Sequence, residues 1–172
     1  DILTGRYACY GVYRCADVEK RLWHEIKHSR TVMLGAHTHP PQHFQPMTAF
    51  HEPETGQVWF FTRSDTDLAR SIAEGKPAMM VVQTKDFQAC VGGELTLQHD
   101  PARIEKYWNP MVAAWYPQGK ADPALTLLCL DVSDAQVWIS DAGPVKVAWE
   151  VAKANATGST PDIGASRRID LN

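Results

Sequence analysis

The feature that most constrains this chain is a series of short β-rich runs joined by tight turns or short helices. The predicted runs are 31–36, 44–50, 57–62, 78–84, 87–98, 125–132 and 135–140. Strands joined by tight turns run antiparallel, because a parallel crossover needs a dozen or more residues. Numerous short strands avoid exposed edges best by curling into a barrel. The sequence therefore predicts an α+β protein with an antiparallel barrel of six to seven strands and flanking helices.

Three local signals predict a hairpin turn, a bulge within a strand and a helix start. The segment Glu52–Gly56 has the composition of a hairpin turn, since glycine tolerates a positive φ. The pair Gly92-Gly93 inside a strand pattern predicts a bulge or a close backbone approach. Asp100 followed by Pro101 predicts a helix start, with a capping side chain before a proline.

Four helices are predicted between and around the strands. Val18, Leu22 and Ile26 recur at helical spacing after Asp17 as N-cap. The predicted helices are 18–29, a short one capped by Asp65 and stopped at Gly75, one from Pro101 interrupted at Pro110, and 145–156. We expect a loose arm over 1–16, one domain over 17–157 and an irregular tail over 158–172.

The charge balance and hydropathy exclude several classes of protein. The 172 residues carry a formal net charge of −3 without a basic cluster, which argues against binding nucleic acid. No apolar stretch approaches the roughly 20 residues needed to span a bilayer. Cys9 and Cys15 could form a disulfide, but nothing else suggests an oxidising compartment, so we do not expect a structural disulfide. Cys90 and Cys129 lie in apolar runs and are interpreted as buried. We expect a cytoplasmic protein.

Several segments, taken together in order, resemble a known family. They are FQPMT (44–48), VWFFT (58–62), YWNPM (107–111), AWYPQGK (114–120), DP (122–123) and LLCL (127–130) leading to Trp138. Their order is similar to that of the pyridoxamine 5'-phosphate oxidase-like FMN-binding split barrels, general stress protein branch. The resemblance covers residues 18–157. It implies a homodimer with FMN at the subunit interface.

The resemblance also implies which residues contact the cofactor. The flavin ring would lie against the strand with the Pro-Met pair, and the phosphate would lie where the 57–62 strand ends and a helix begins. Gln88 falls where related oxidases place a glutamine that hydrogen-bonds the cofactor. The segment Trp115-Tyr116 and Trp138, from the second subunit or the barrel rim, would cover the ring. The implied FMN-binding residues are Gln45, Pro46, Met47, Thr48, Phe61, Thr62, Arg63, Ser64, Thr66, Leu68, Gln88, Trp115 and Trp138.

The sequence departs from this family at the phosphate site. Gln45 stands where the family has an arginine, and Leu68 stands where it has a lysine. Asp65 and Asp67 add negative charge nearby. Arg63 is the cation that remains. The hydroxyl residues here would also serve as ordinary strand-end and helix-cap residues.

The implied function is an FMN-binding flavoprotein of the general stress protein type, with electron transfer through the flavin to an unidentified small molecule. No catalytic residue is identified, because no nucleophile–base motif is present. The alternative is a non-catalytic dimeric split barrel that binds haem, a deazaflavin or no cofactor. His37, His39 and His43 share one loop, but they lack accompanying ligands at regular spacing and are interpreted as a polar loop rather than a metal site.

Overall fold

The computed structural model describes residues 14–140 and 142–171. Its strands are β1 (Thr31–Ala36), β2 (Gln45–Thr48), β3 (Phe50–Glu52), β4 (Gln57–Arg63), β5 (Lys76–Gln83), β6 (Phe87–Gln98), β7 (Leu125–Ile139) and β8 (Ala165–Asp170). Its helices are α1 (Cys15–Ser29), α2 (Asp67–Ser71), α3 (Pro101–Tyr107), α4 (Pro110–Ala113), α5 (Pro144–Thr157) and a 3₁₀ turn (Gly119–Ala121). No described helix is long and apolar enough to cross a bilayer.

The eight described strands form one antiparallel sheet in the order β2-β1-β5-β6-β7-β4-β3, with β8 added at β7. β7 is the longest strand of the sheet, and β6 pairs along one of its edges over most of its length. Along its other edge, β4 pairs with Leu125–Asp131 and β8 pairs with Asp134–Ile139. Two strands therefore share one edge of β7, each over about half of its length.

The sheet curls because its two end strands are consecutive in sequence. Only Ala49 separates β2 from β3, although they stand at opposite ends of the strand order. The Ala49 N–H donates to the Arg30 carbonyl at 2.7 Å, one residue beyond the Thr31–Thr48 pair of β1 and β2. β2 consequently also contacts β4. This arrangement confirms the predicted α+β antiparallel split barrel.

Two apolar cores hold the fold together, one on each side of β4. Alternate residues of a strand point to opposite faces, so Val58 and Phe60 enter the barrel whereas Trp59 and Phe61 face outward. The outward pair packs with a second core beneath α3 and α4. The other members of that second core are Phe50, Ile104, Tyr107, Trp108, Val112, Tyr116, Leu125, Leu127 and Cys129.

Two of the main strand boundaries differ from the sequence-based expectation. The predicted 44–50 run is broken at Ala49, and the two predicted runs 125–132 and 135–140 form the single strand β7. β7 continues because Ser133 is accommodated as the extra residue of a β-bulge opposite Gly92-Gly93. The bulge predicted at the two glycines is confirmed.

The C-terminal segment is not irregular, as the sequence had led us to expect. It contains β8, which pairs with the half of β7 that β4 leaves free. Its side chains are mostly polar, and Ile169 alone among Ser166–Asp170 is fully buried. Backbone pairing rather than an apolar pattern therefore places this strand.

Helix starts are also corrected. α1 begins at Cys15 after Arg14, and Asp17 lies in its first turn, where it pairs with Arg14. α2 is capped by Thr66 instead of Asp65. Pro110 begins a separate helix, α4, whose N–H groups are capped by the Asn109 side chain. Asp100 caps α3 as predicted.

The cysteines fall into different environments. Cys15 forms a disulfide, whereas Cys90 and Cys129 are free. The disulfide at Cys15 corrects the expectation that no structural disulfide forms. Cys9, the partner that the sequence allowed, lies outside the described residues. Cys129 is buried as predicted, but Cys90 is only partly buried on the outer face of β6.

Candidate functional site

A row of side chains crosses the outer face of the barrel from β2 to β7. Thr48 pairs with Thr31, Gln88 pairs with both Gln83 and Trp138, and the β1–β5 register brings Thr31 level with Gln83. Neighbouring strands lie about 4.8 Å apart, so Thr48 and Gln88 are about 14 Å from each other. Three residues that the sequence implicated separately therefore lie on one surface: Thr48, Gln88 and Trp138. We call it the outer face.

The outer face exposes large apolar side chains. They are Met33 (39% exposed), Met79 (39%), Phe44 (43%) and Trp138 (44%). The Phe44 ring lies directly over Gly35, where any Cβ would overlap it. Several half-exposed apolar side chains on one surface are a signature of an interaction site.

Gln88 sits in this row with one polar atom available. Its Nε2 donates to the Thr84 carbonyl at 3.0 Å. Its Oε1 accepts no hydrogen bond from the described residues, so it is available to an N–H group of a ligand. Pro46 and Thr48 are exposed on β2, whereas Gln45 and Met47 are partly buried, with Met47 packed against the barrel core.

β4, which contacts β2, leads at its end into α2. Thr62 is buried, and its hydroxyl lies 3.5 Å from that of Thr66. The Thr66 hydroxyl donates to the Arg63 carbonyl and accepts from the Ala69 N–H. α2 has only five residues and its N-terminus is capped by its own chain. The predicted anion site therefore cannot rely on this helix end and depends on side chains.

Arg63 is the cation at this strand end, and Asp65 holds it. Its Nε and Nη2 donate to the two Asp65 carboxylate oxygens at 3.1 and 3.0 Å. This ion pair raises the pKa of Arg63 and lowers the pKa of Asp65. Ser64 beside them is exposed. The side chain of Leu68 is buried in the barrel core, so it is not available to a ligand.

Tyr116 anchors the segment after α4 to this strand end. Its hydroxyl donates to the Thr62 carbonyl at 2.8 Å, and burial raises its pKa to about 12. The neighbouring Trp115 is 71% exposed. Trp115 thus directly precedes a residue that is anchored to β4. The resemblance implicated Trp115 and Tyr116 as an aromatic cover for the ring, but not the anchoring hydrogen bond of Tyr116, since that bond depends on a backbone carbonyl 54 residues away.

A buried carboxylate network holds the second core and was not foreseen from sequence. Glu52 of β3 accepts hydrogen bonds from Tyr107 (2.6 Å), Lys106 (3.0 Å) and Arg103 (3.0 Å) of α3. The Arg103 guanidinium also lies 4.2 Å from the centroid of the Trp59 ring. Although burial opposes ionisation, these hydrogen bonds lower the pKa of Glu52 to about 2. The network joins the β3–β4 hairpin to α3.

The histidine loop has no metal-binding geometry in the described part of the chain. His37 and His39 are exposed between β1 and β2, as is His43. Residues 14–140 and 142–171 contain no group of three or more His, Cys, Asp or Glu placed to hold a metal ion. His51 lies on β3 of the β3–β4 hairpin. Burial and the positive charge of Lys27 lower its pKa.

A curled antiparallel sheet with flanking helices defines the class of small split-barrel proteins. The chain belongs to the family described as "Pyridoxamine 5'-phosphate oxidase like", whose profile matches residues 17–162. The family predicted from the sequence motifs is thereby confirmed. No curated protein matches the chain.

Solved structures of similar proteins agree with this membership. A candidate general stress protein 26 from Jannaschia sp. CCS1 is 28% identical and superposes with a TM-score of 0.72, covering 90% of this chain and 99% of that one. The general stress FMN/FAD binding protein from Xanthomonas citri is 38% identical, with a TM-score of 0.69 and coverage of 74% and 92%. A candidate general stress family protein from Xanthomonas campestris pv. campestris is 37% identical, with a TM-score of 0.70 and coverage of 77% and 93%.

Proposed function

We propose that this chain binds FMN on the outer face and uses it to transfer electrons to or from a small molecule. The single observation that carries the proposal is the alignment of Thr48, Gln88 and Trp138 in one row, whose β2 end belongs to a strand that contacts β4. Family membership and a relative named as an FMN/FAD binding protein support a flavin as the ligand.

The chemistry of the available side chains fits FMN. A flavin ring presents flat apolar surface and amide-like polar edges, which match the exposed Trp138 and the free Oε1 of Gln88. A phosphate requires cationic and hydroxyl donors, and Arg63 and Ser64 provide them at the end of β4. Thr62 and Thr66 shape this end of the strand, but their hydroxyls already engage their own chain.

The residues of this chain would bind and orient the cofactor rather than react themselves. When bound, a flavin supplies the group that accepts and returns electrons. Trp138 and Met79 would shield one side of the ring from water. Gln88 would fix the position of its polar edge.

The direct test is a titration of the purified chain with FMN, followed by quenching of flavin fluorescence. We expect saturation at one FMN per chain. Failure of excess FMN and of excess riboflavin to bind would remove the proposal.

The Arg63→Glu variant tests the phosphate position. We expect its FMN dissociation constant to rise at least about tenfold, because a charge-assisted contact is replaced by repulsion. The dissociation constant for riboflavin, which has no phosphate, should stay the same. Unchanged FMN affinity in this variant would show that the phosphate does not bind at Arg63.

We further propose that a second copy of the chain covers the outer face. In a single chain, the row of Thr48, Gln88 and Trp138 lies open on the outer face. The apolar side chains of Met33, Met79 and Phe44 lie on the same face. A twofold interface is self-complementary, so the same patch would serve both subunits. Each cofactor would then lie between two chains, as the family resemblance implies.

The Met33→Asp variant tests this dimer. We expect the dimer dissociation constant to rise at least about a hundredfold, because an unpaired charge would be buried in the interface. Sedimentation velocity over a range of protein concentrations measures it. Val145→Asp is the matched control, since Val145 is an exposed apolar residue on α5. A monomeric wild-type protein, or a Met33→Asp dimer as tight as the wild type, would contradict the proposal.

A second function is favoured by one observation, the engagement of Arg63 by Asp65. With that cation occupied and Leu68 buried, the barrel would lack a phosphate site. It would hold a haem, a deazaflavin or no cofactor, and it would have no catalytic role. An absorption spectrum of the untreated purified protein separates these states. A flavin spectrum supports the first proposal, and a haem or deazaflavin spectrum supports the second.

A further inference from the structure

The Arg63–Asp65 pair has the geometry of an arginine that is already binding an anion. Both carboxylate oxygens of Asp65 accept from the guanidinium fork, at 3.1 Å from Nε and 3.0 Å from Nη2. A phosphate group presents a similar two-oxygen edge to the same fork. The two anions therefore cannot occupy this edge of Arg63 together.

The surrounding residues hold Asp65 in this position. Arg70 donates from Nη1 to the Asp65 carbonyl at 2.7 Å and from Nη2 to the Asp67 carboxylate at 2.6 Å. The second cation at the strand end is thus paired with a second aspartate. The Arg70 hydrogen bond to the Asp65 carbonyl holds the Asp65 backbone where its side chain lies against Arg63.

We infer that Asp65 is a built-in competitor for the phosphate of FMN, which occupies the Arg63 guanidinium in the ligand-free protein and sets the preference between phosphorylated and unphosphorylated flavin. This inference rests on the proposed flavin-binding function. Asp65 acts as a specificity-determining residue, because it weakens FMN binding and leaves riboflavin binding unaffected.

The exposure of the pair makes this exchange feasible. The side chains of Arg63 and Asp65 are 40% and 59% exposed. An ion pair exposed to this degree contributes little to stability, so it can open when a ligand arrives. Because Arg63 lowers the pKa of Asp65, the competing carboxylate is charged at every physiological pH.

The Asp65→Asn variant tests the inference by removing the competing charge at nearly constant size. We expect FMN to bind about three- to tenfold more tightly, and riboflavin to bind as it does to the wild type. Fluorescence quenching with each flavin gives both dissociation constants. The ratio of the two constants is the quantity that a purely structural role of Asp65 would not change.

Asp67→Asn is the matched control because it removes the same charge two residues away, from a side chain that pairs with Arg70 and not with Arg63. It should change FMN affinity less than twofold. A combined Arg63→Gln and Asp65→Asn variant should lose the gain, since no guanidinium fork is then released.

The results separate this inference from the proposed function. If the wild type binds FMN and Asp65→Asn and Asp67→Asn have the same FMN affinity, Asp65 is not a specific competitor and the inference is wrong. If neither flavin binds to any variant, the proposed function fails and this inference fails with it. If Asp65→Asn binds FMN more tightly than both the wild type and Asp67→Asn do, the inference is supported.

Discussion

Replacement of Glu52 by glutamine is expected to lower the free energy of unfolding at neutral pH by about 3 kcal/mol. The estimate follows from the depression of the Glu52 pKa from 4.5 to about 2, since each pKa unit corresponds to about 1.4 kcal/mol. The physical reason is that the ionised carboxylate, almost fully buried, accepts hydrogen bonds from Arg103, Lys106 and Tyr107. A neutral amide interacts with the two cations much less strongly.

The same residue predicts a specific acid sensitivity. A carboxyl whose pKa is lower in the folded state contributes stability above its unfolded pKa and loses it as the pH falls. For Glu52 the loss should occur between about pH 4.5 and pH 2. The unfolding free energies of the wild type and Glu52→Gln should therefore converge towards pH 2.

Urea unfolding at a series of pH values measures both effects. Glu19→Gln is the matched control, because Glu19 is an exposed carboxylate on α1. Equal unfolding free energies for the wild type and Glu52→Gln at pH 7 would show that the network contributes no net stability.

Replacement of Gly93 by alanine is expected to destabilise the barrel by about 1–3 kcal/mol or more. A Cβ at this position would overlap the backbone carbonyl of Asp131 on the neighbouring strand. That carbonyl is fixed within the β6–β7 pairing, so it cannot move without separating the two strands. Thermal or urea unfolding measures the loss.

Gly92→Ala is the matched control for this prediction. There the new Cβ would lie 2.7 Å from the Asp134 Oδ1, which belongs to a side chain that can rotate away. Its cost should stay below about 1 kcal/mol, since alanine also restricts the unfolded chain. Equal destabilisation by the two variants would mean that the Asp131 carbonyl does not set the requirement for glycine.

Much of the fold could be predicted because its signals are local. β1 and β6 begin and end where alternation and turn residues placed them. The hairpin turn before β4 has Gly56 at a φ of 67°, as its composition predicts. Capping by Asp100 followed by Pro101 also needs only neighbouring residues.

The candidate site could be predicted only in part. The sequence implicated Thr48, Gln88 and Trp138 through a resemblance, and their alignment in one row follows from strand register. Met33 and Met79 were not singled out, because nothing in a strand pattern says which face will remain uncovered.

By itself, the sequence determined the strands, the turns and the family, because alternation, glycine placement and capping are set by residues a few positions apart. Only the tertiary structure decided that Glu52 is held by α3, that β8 completes the edge of β7, and that the Tyr116 hydroxyl donates to the Thr62 carbonyl. These outcomes depend on which charged and backbone groups meet once the sheet has curled. Such through-space partners leave no periodic pattern in the chain, since hydrogen bonds and ion pairs depend on distance and not on sequence separation.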